Sequence, residues 1–122
     1  MIIKRGDVYL ASLDPVIGNE ISKTRPVVIV SNDIGNKFSG TVTVVPLTSQ
    51  KLDKVYRFEI LLEEGEANLP KLSKAKADQI RTLDTKRLLK KIGFLSPQSI
   101  VALNEAIRIH LDLIPTLTQN HP

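Results

Sequence analysis

The chain has 122 residues, enough for one compact domain with a sizeable core and too few for two. Hydrophobic residues make up 42% and charged residues 25%, an ordinary soluble balance, and the absence of cysteine excludes disulfides and thiolate metal sites. The formal charge is +4, and no apolar run approaches the ~20 residues needed to span a bilayer, which excludes a helical membrane protein.

The opening Met1-Ile2-Ile3-Lys4-Arg5-Gly6 is too short and too soon charged for a signal peptide, so a cytoplasmic protein without a membrane partner is expected. Asp7 to Leu13 roughly alternates, as a half-buried strand does, and Asp14-Pro15 ends it. Pro26 to Val30 is a continuous, mostly β-branched run, the pattern of a strand buried on both faces, with Pro26 expected at its first position. Asp33 to Phe38 reads as a turn or a single helical turn. Thr41–Thr48 is a third strand, Tyr56–Leu62 a fourth, Ala75–Leu83 a weaker fifth and Lys91–Leu95 a short sixth. A helix follows, with Ser96 as N-cap and Pro97 in its first position. Ile100, Leu103, Ile107, Leu111 and Ile114 recur on one face of it, and Pro115 closes it. The expected architecture is mainly β (α+β), a small twisted barrel packed by one C-terminal amphipathic helix. A single domain spans 1–117, and 118–122 is expected to be a disordered tail.

Charge is spread unevenly. Between Lys71 and Lys91 eight bases stand against Asp78 and Asp84 alone, and an acidic Glu63-Glu64-Gly65-Glu66 precedes them. A basic segment is compatible with nucleic acid, and equally with a solvated lysine-rich face.

No Walker loop or glycine-rich dinucleotide fingerprint is present. Of the two histidines, His121 falls in the tail, and His110 reads as a partly packed helix residue. A histidine acid–base pair and a histidine-rich zinc site are therefore not expected. Arg25 is left as a first candidate, because its planar fork matches the paired oxygens of a phosphate and a rigid strand follows it. Its bland reading is a rim ion pair with Glu20. Thr48 closes the third strand, where hydroxyls usually satisfy local backbone groups. On an extended strand, Asp78 and Ile80 face one way while Gln79 and Arg81 face the other, toward a base and a phosphate or toward solvent.

Four segments in this order, "KRGDVYLASLDPVIGNE" at 4–20, "RPVVIVSND" at 25–33, "VPLTSQ" at 45–50 and "DQIRTLD" at 78–84, closely resemble the MazF/PemK toxins of bacterial type II toxin–antitoxin systems. The resemblance implies an SH3-like barrel that works as a homodimer. It implies an endoribonuclease that cuts single-stranded RNA without a metal or other cofactor, through attack of the ribose 2′-hydroxyl on the adjacent phosphorus. The products are a 2′,3′-cyclic phosphate and a 5′-hydroxyl. A cognate acidic antitoxin is expected to block the RNA groove and to bind DNA together with the toxin.

Carried over by position, the family's catalytic arginine falls on Arg25, its threonine on Thr48 and its loop glutamate on Glu20. Further RNA contacts are expected from Asn19 and Lys23, from Gln50, Lys51 and Lys54, and from Gln79 and Arg81. Phe38 and Tyr56 could stack on bases but read better as core. Two departures stand out. Many relatives carry Gln where this chain has Ile21, and 64–76 matches no motif of the family. Two other readings fit the same barrel: a toxin that poisons DNA gyrase without catalysis, and a module that binds RNA without cutting it.

Overall fold

The computed structural model describes residues 2–114. The strands are β1 (Asp7–Ser12), β2 (Thr24–Ile29), β3 (Thr41–Thr48), β4 (Glu59–Leu62), β5 (Ser73–Lys76), β6 (Arg81–Asp84) and β7 (Leu88–Phe94). Two helices join them, the short α1 (Asp33–Phe38) and the terminal α2 (Pro97–His110). All recorded ladders are antiparallel, in the order β4-β5-β3-β2-β1-β7, with β6 also on β3. The barrel and terminal helix expected from the pattern are present, and the sheet does not close, since no ladder joins β4 to β7.

The β-branched run of β2 works as its pattern implies. Val27 and Ile29 pack into a core with Tyr9, Ala11, Leu13 and Val44, while Val28 packs on the other face with Val8, Val45, Leu47 and Leu103. Alternation thus feeds two cores from one sheet, and α2 covers the second through Leu103, Ile100 and Ile107. Two glycines permit close approaches. A Cβ on Gly6, which sits at φ +92, would come within 2.7 Å of Ile100 Cδ1, and one on Gly93 within 2.6 Å of the Ala67 carbonyl oxygen.

Several expected boundaries move. Pro26 is the third residue of β2, tolerated because pairing with β3 begins only at Val27. The fourth strand starts at Glu59, since residues 56–58 form a turn closed by a bond from Glu59 N to the Tyr56 carbonyl at 2.9 Å. The fifth strand is two strands broken by a 3-10 turn at Ala77–Gln79. Its halves pair with opposite ends of β3, Leu47–Thr48 and Thr41–Val44, so the break falls where β3 passes from one partner to the other. Asp78 and Gln79 therefore lie in the turn, and the strand-face alternation expected of 78–81 does not apply. The last strand starts earlier, at Leu88.

Ser96 caps α2, accepting from Ser99 N at 3.2 Å. The helix stops at His110 because Asp112 takes φ +55, a left-handed residue that ends helices. Leu111 and Ile114 are consequently exposed, outside the apolar face they were expected to extend. His110 is also exposed, with its ring 6.0 Å from that of Phe58. Phe38 and Tyr56 are 73% and 46% exposed, so neither belongs to the core. Pro115, His121 and the 118–122 tail lie outside the described residues.

Candidate functional site

Pairing of β2 with β3 ends at Val27 opposite Pro46, and continuing that register by two residues brings Arg25 opposite Thr48. On the far side of β3, Thr48 pairs with Lys74 of β5. Proline at 26 and 46 withholds two backbone donors where the ladder stops. Two depressions open there, of about 170 and 200 Å³, and Arg25 and Thr48 line both. The pair forms the divide between two lobes of one groove.

Arg25 is half-buried and its Nε donates to the Ser22 carbonyl at 2.8 Å. This bond orients the guanidinium and leaves its terminal nitrogens without a partner among the described residues. Thr48 Oγ1 accepts from Gln50 N at 3.1 Å, so its own O–H remains able to donate. A planar fork and a hydroxyl donor side by side at a groove's divide can together hold the oxygens of one phosphate.

Glu20 stands apart from this pair. Its Oε1 accepts from Ile17 N at 2.9 Å, and no ion pair joins it to Arg25 among the described residues. The rim ion pair expected from spacing is thus replaced by two separate bonds to loop backbone. Glu20 lines a third, neighbouring depression with Asp78, Ile80 and Arg81.

Of the other expected contacts, Asn19, Gln50, Lys51 and Gln79 line the second lobe beside Arg25 and Thr48. Lys23, Lys54 and Arg81 line neither lobe. The Lys54 ammonium lies 4.8 Å from the Tyr56 ring centre, a cation–π contact. Arg81 Nη1 donates to the Leu13 carbonyl at 3.2 Å and braces the end of β1. Gln79 has its amide in use: Oε1 accepts from Ile21 N at 3.0 Å and Nε2 donates to the Asn19 carbonyl at 3.3 Å. It clamps the β1–β2 loop.

The first lobe adds Leu69, Pro70, Lys71 and Ser73, all from the segment that matched no motif. The second adds Lys74 and Lys76, two members of the basic segment that are not among the expected contacts. Lys74 is buried, and its Nζ donates to the carbonyls of Lys51 at 2.8 Å and Lys54 at 3.0 Å and to Glu59 Oε1 at 3.1 Å. Lys76 Nζ reaches Glu59 Oε2 at 3.0 Å and lies 3.9 Å from Asp78 Oδ1. Burial would raise the Glu59 pKa, but bonds from Tyr56 N, Lys76 and Lys74 outweigh it and hold the carboxyl below its usual 4.5. A usable signal existed: Lys74 and Lys76 stand two apart on one strand face, and β4 carries a single acid, Glu59, to meet them.

The wider basic segment is not one solvated face. Besides Lys74 and Arg81, Arg87 Nη1 bonds the Ser12 and Asp14 carbonyls at 3.2 and 2.5 Å, and Lys91 pairs with Asp7 at 3.3 Å. Among the described residues no helix is long and apolar enough to cross a membrane.

Residues 4–111 match the family of PemK-like, MazF-like toxins of type II toxin–antitoxin systems. The chain is 42% identical to the endoribonuclease MazF9 of Mycobacterium tuberculosis over 117 residues, which is 92% of this chain and 98% of that one. It is 44% identical to the endoribonuclease MazF of Staphylococcus epidermidis, over 92% of this chain and 93% of that one. Among solved structures, MazF from Deinococcus radiodurans shares the fold with a TM-score of 0.80 at 23% identity, covering 93% and 99% of the two chains. The M. tuberculosis toxin MazF-mt6 superposes with a TM-score of 0.75 at 27% identity, over 88% and 98%. With the family match spanning residues 4–111 and relatives 42% and 44% identical over 92% of its length, this chain belongs to the PemK-like, MazF-like toxin family.

Proposed function

We propose that the chain is the endoribonuclease toxin of a type II toxin–antitoxin pair, cutting single-stranded RNA at the divide between the two lobes. The observation that carries this reading is the meeting of Arg25 and Thr48 there, with a lobe on either side for the nucleotides that flank a phosphate. In the proposed reaction the 2′-oxygen attacks phosphorus as its proton leaves. The 2′-O–P bond forms, the P–O5′ bond breaks, and O5′ takes up a proton. The ends are a 2′,3′-cyclic phosphate and a 5′-hydroxyl, and no metal takes part.

Negative charge peaks on the nonbridging oxygens of the five-coordinate phosphorus. Arg25 and Thr48 are assigned to stabilise it, and such a donor is typically worth about 2.7–4 kcal/mol. Arg25 is assigned charge stabilisation and not proton transfer, because a guanidinium stays protonated in proteins. Glu20 would need the loop to carry its carboxylate away from the Ile17 amide before it could take part. It is assigned the shaping of that loop in the RNA-free state. Asn19, Gln50 and Lys51, on the walls of the second lobe, are the first candidates to contact RNA. A homodimer and an acidic antitoxin that covers the groove complete the proposal.

The test is incubation of the protein with long single-stranded RNA in excess EDTA, followed by analysis of the ends. Discrete cuts with 2′,3′-cyclic phosphates are expected, abolished by Arg25→Ala and strongly reduced by Thr48→Ala. Intact RNA, or cutting that Arg25→Ala leaves unchanged, would overturn the assignment.

A further inference from the structure

The geometry points to Lys74 as a positioning residue for Thr48, a buried cation that fixes one wall of the site without touching the substrate. The effect of Lys74 on rate rests on the endoribonuclease reading, and its effect on structure on the geometry alone.

An ammonium has three donors, and Lys74 has three acceptors in reach: the Lys51 and Lys54 carbonyls and Glu59 Oε1. Its side chain is only 4% exposed. No donor is left for a phosphate, although the residue lines the second lobe. Lys76 differs, with 23% of its side chain exposed and no third acceptor among the described residues.

What the Lys74 ammonium holds is the start of the β3–β4 loop. Lys51 sits at φ +55, a left-handed conformation that a lysine adopts only when its surroundings enforce it. Its carbonyl is one of the two that Lys74 grips, beside the Glu59 carboxylate. Directly before it, Gln50 N donates to Thr48 Oγ1. That bond occupies one lone pair of the hydroxyl and leaves its O–H able to donate. The chain of constraint therefore runs from the Lys74 ammonium to the Lys51 carbonyl, through the Gln50 amide, to the Thr48 hydroxyl. Glu59 lies 3.1 Å from the ammonium and balances its charge where it is buried.

The protein has no cysteine, so Lys74→Cys can be aminoethylated at a single thiol in denaturant and refolded. This restores an ammonium of lysine length, whereas carbamidomethylation of the same variant does not. Single-turnover cleavage, RNA affinity by anisotropy and exchange of the Gln50 amide are then compared with the native chain and with Lys74→Met. Lys74→Met should cut about tenfold to a hundredfold more slowly, bind RNA within threefold of native, and exchange the Gln50 amide at least tenfold faster. Aminoethylation should recover most of the rate and protection, and carbamidomethylation should not. If Lys74→Met does not fold, Lys74→Gln takes its place in the same assays. Unchanged Gln50 exchange, or a defect confined to RNA affinity, would overturn the inference. Should the native chain leave RNA intact, the endoribonuclease reading fails by itself, and Gln50 exchange still decides the role of Lys74.

Discussion

The two loops that border Arg25 and Thr48 are held by different forces. The β1–β2 loop is tied by hydrogen bonds that reach the surface: Gln79 to Ile21 and Asn19, Asp14 Oδ1 from Lys23 N, Glu20 from Ile17 N, and Arg25 to Ser22. The β3–β4 loop is tied from beneath by a buried cation, Lys74, whose charge Glu59 balances. Water competes readily for bonds of the first kind, each worth about 0.5–1.5 kcal/mol net. It competes less for the second, because the Lys74 side chain is only 4% exposed. The β1–β2 wall is thus expected to reshape more easily than the β3–β4 wall that carries Thr48.

The sharpest way to break this contrast is to remove the buried acid. Glu59→Ala leaves Lys74 and Lys76 without their shared carboxylate, and breaking such a pair by deleting one partner costs about 3–5 kcal/mol. Urea unfolding should show that loss. Acid probes the same group. Because the folded-state pKa of Glu59 is depressed, its contribution is complete above the unfolded value near 4.5 and disappears as pH falls through the lower folded value. Acid unfolding followed by circular dichroism should therefore lose part of its steepness below pH 4.5 in Glu59→Gln.

A smaller effect is expected on the other wall. Gln79→Ala removes two loop bonds and should lower stability by roughly 1–3 kcal/mol at most. Its main result should be faster amide exchange at Ile21 and a raised KM, with kcat changed less than by Lys74→Met. Equal losses of kcat in the two variants would erase the distinction between an adaptable wall and a fixed one.

Most strands were legible because alternation and β-branching report burial directly. β3 and the helix start at Ser96-Pro97 were readable to the residue, since cap and strand-end chemistry is local. The break at Ala77–Gln79 was not, because it depends on β3 taking two partners along one edge, a non-local demand with no composition of its own. The helix was overextended because Leu111 and Ile114 keep its spacing, while Asp112 carries the left-handed turn that stops it. At the site, Arg25 and Thr48 could be picked out by motif, but their facing each other required the β2–β3 register. Lys74 and Lys76 looked like part of a solvated basic run. Only the pairing of β4 with β5 shows that they converge on Glu59 beneath the groove.

The claim that Arg25 and Thr48 mark a site of RNA cleavage by 2′-hydroxyl attack is tested most directly with one oligonucleotide spanning a mapped cut. Its single-turnover cleavage in EDTA is compared with that of the same oligonucleotide carrying one 2′-deoxynucleotide on the 5′ side of the scissile phosphate. Cutting of the first, none of the second, and similar binding of both are expected. Cleavage of the deoxy-substituted strand at the same bond would contradict the claim.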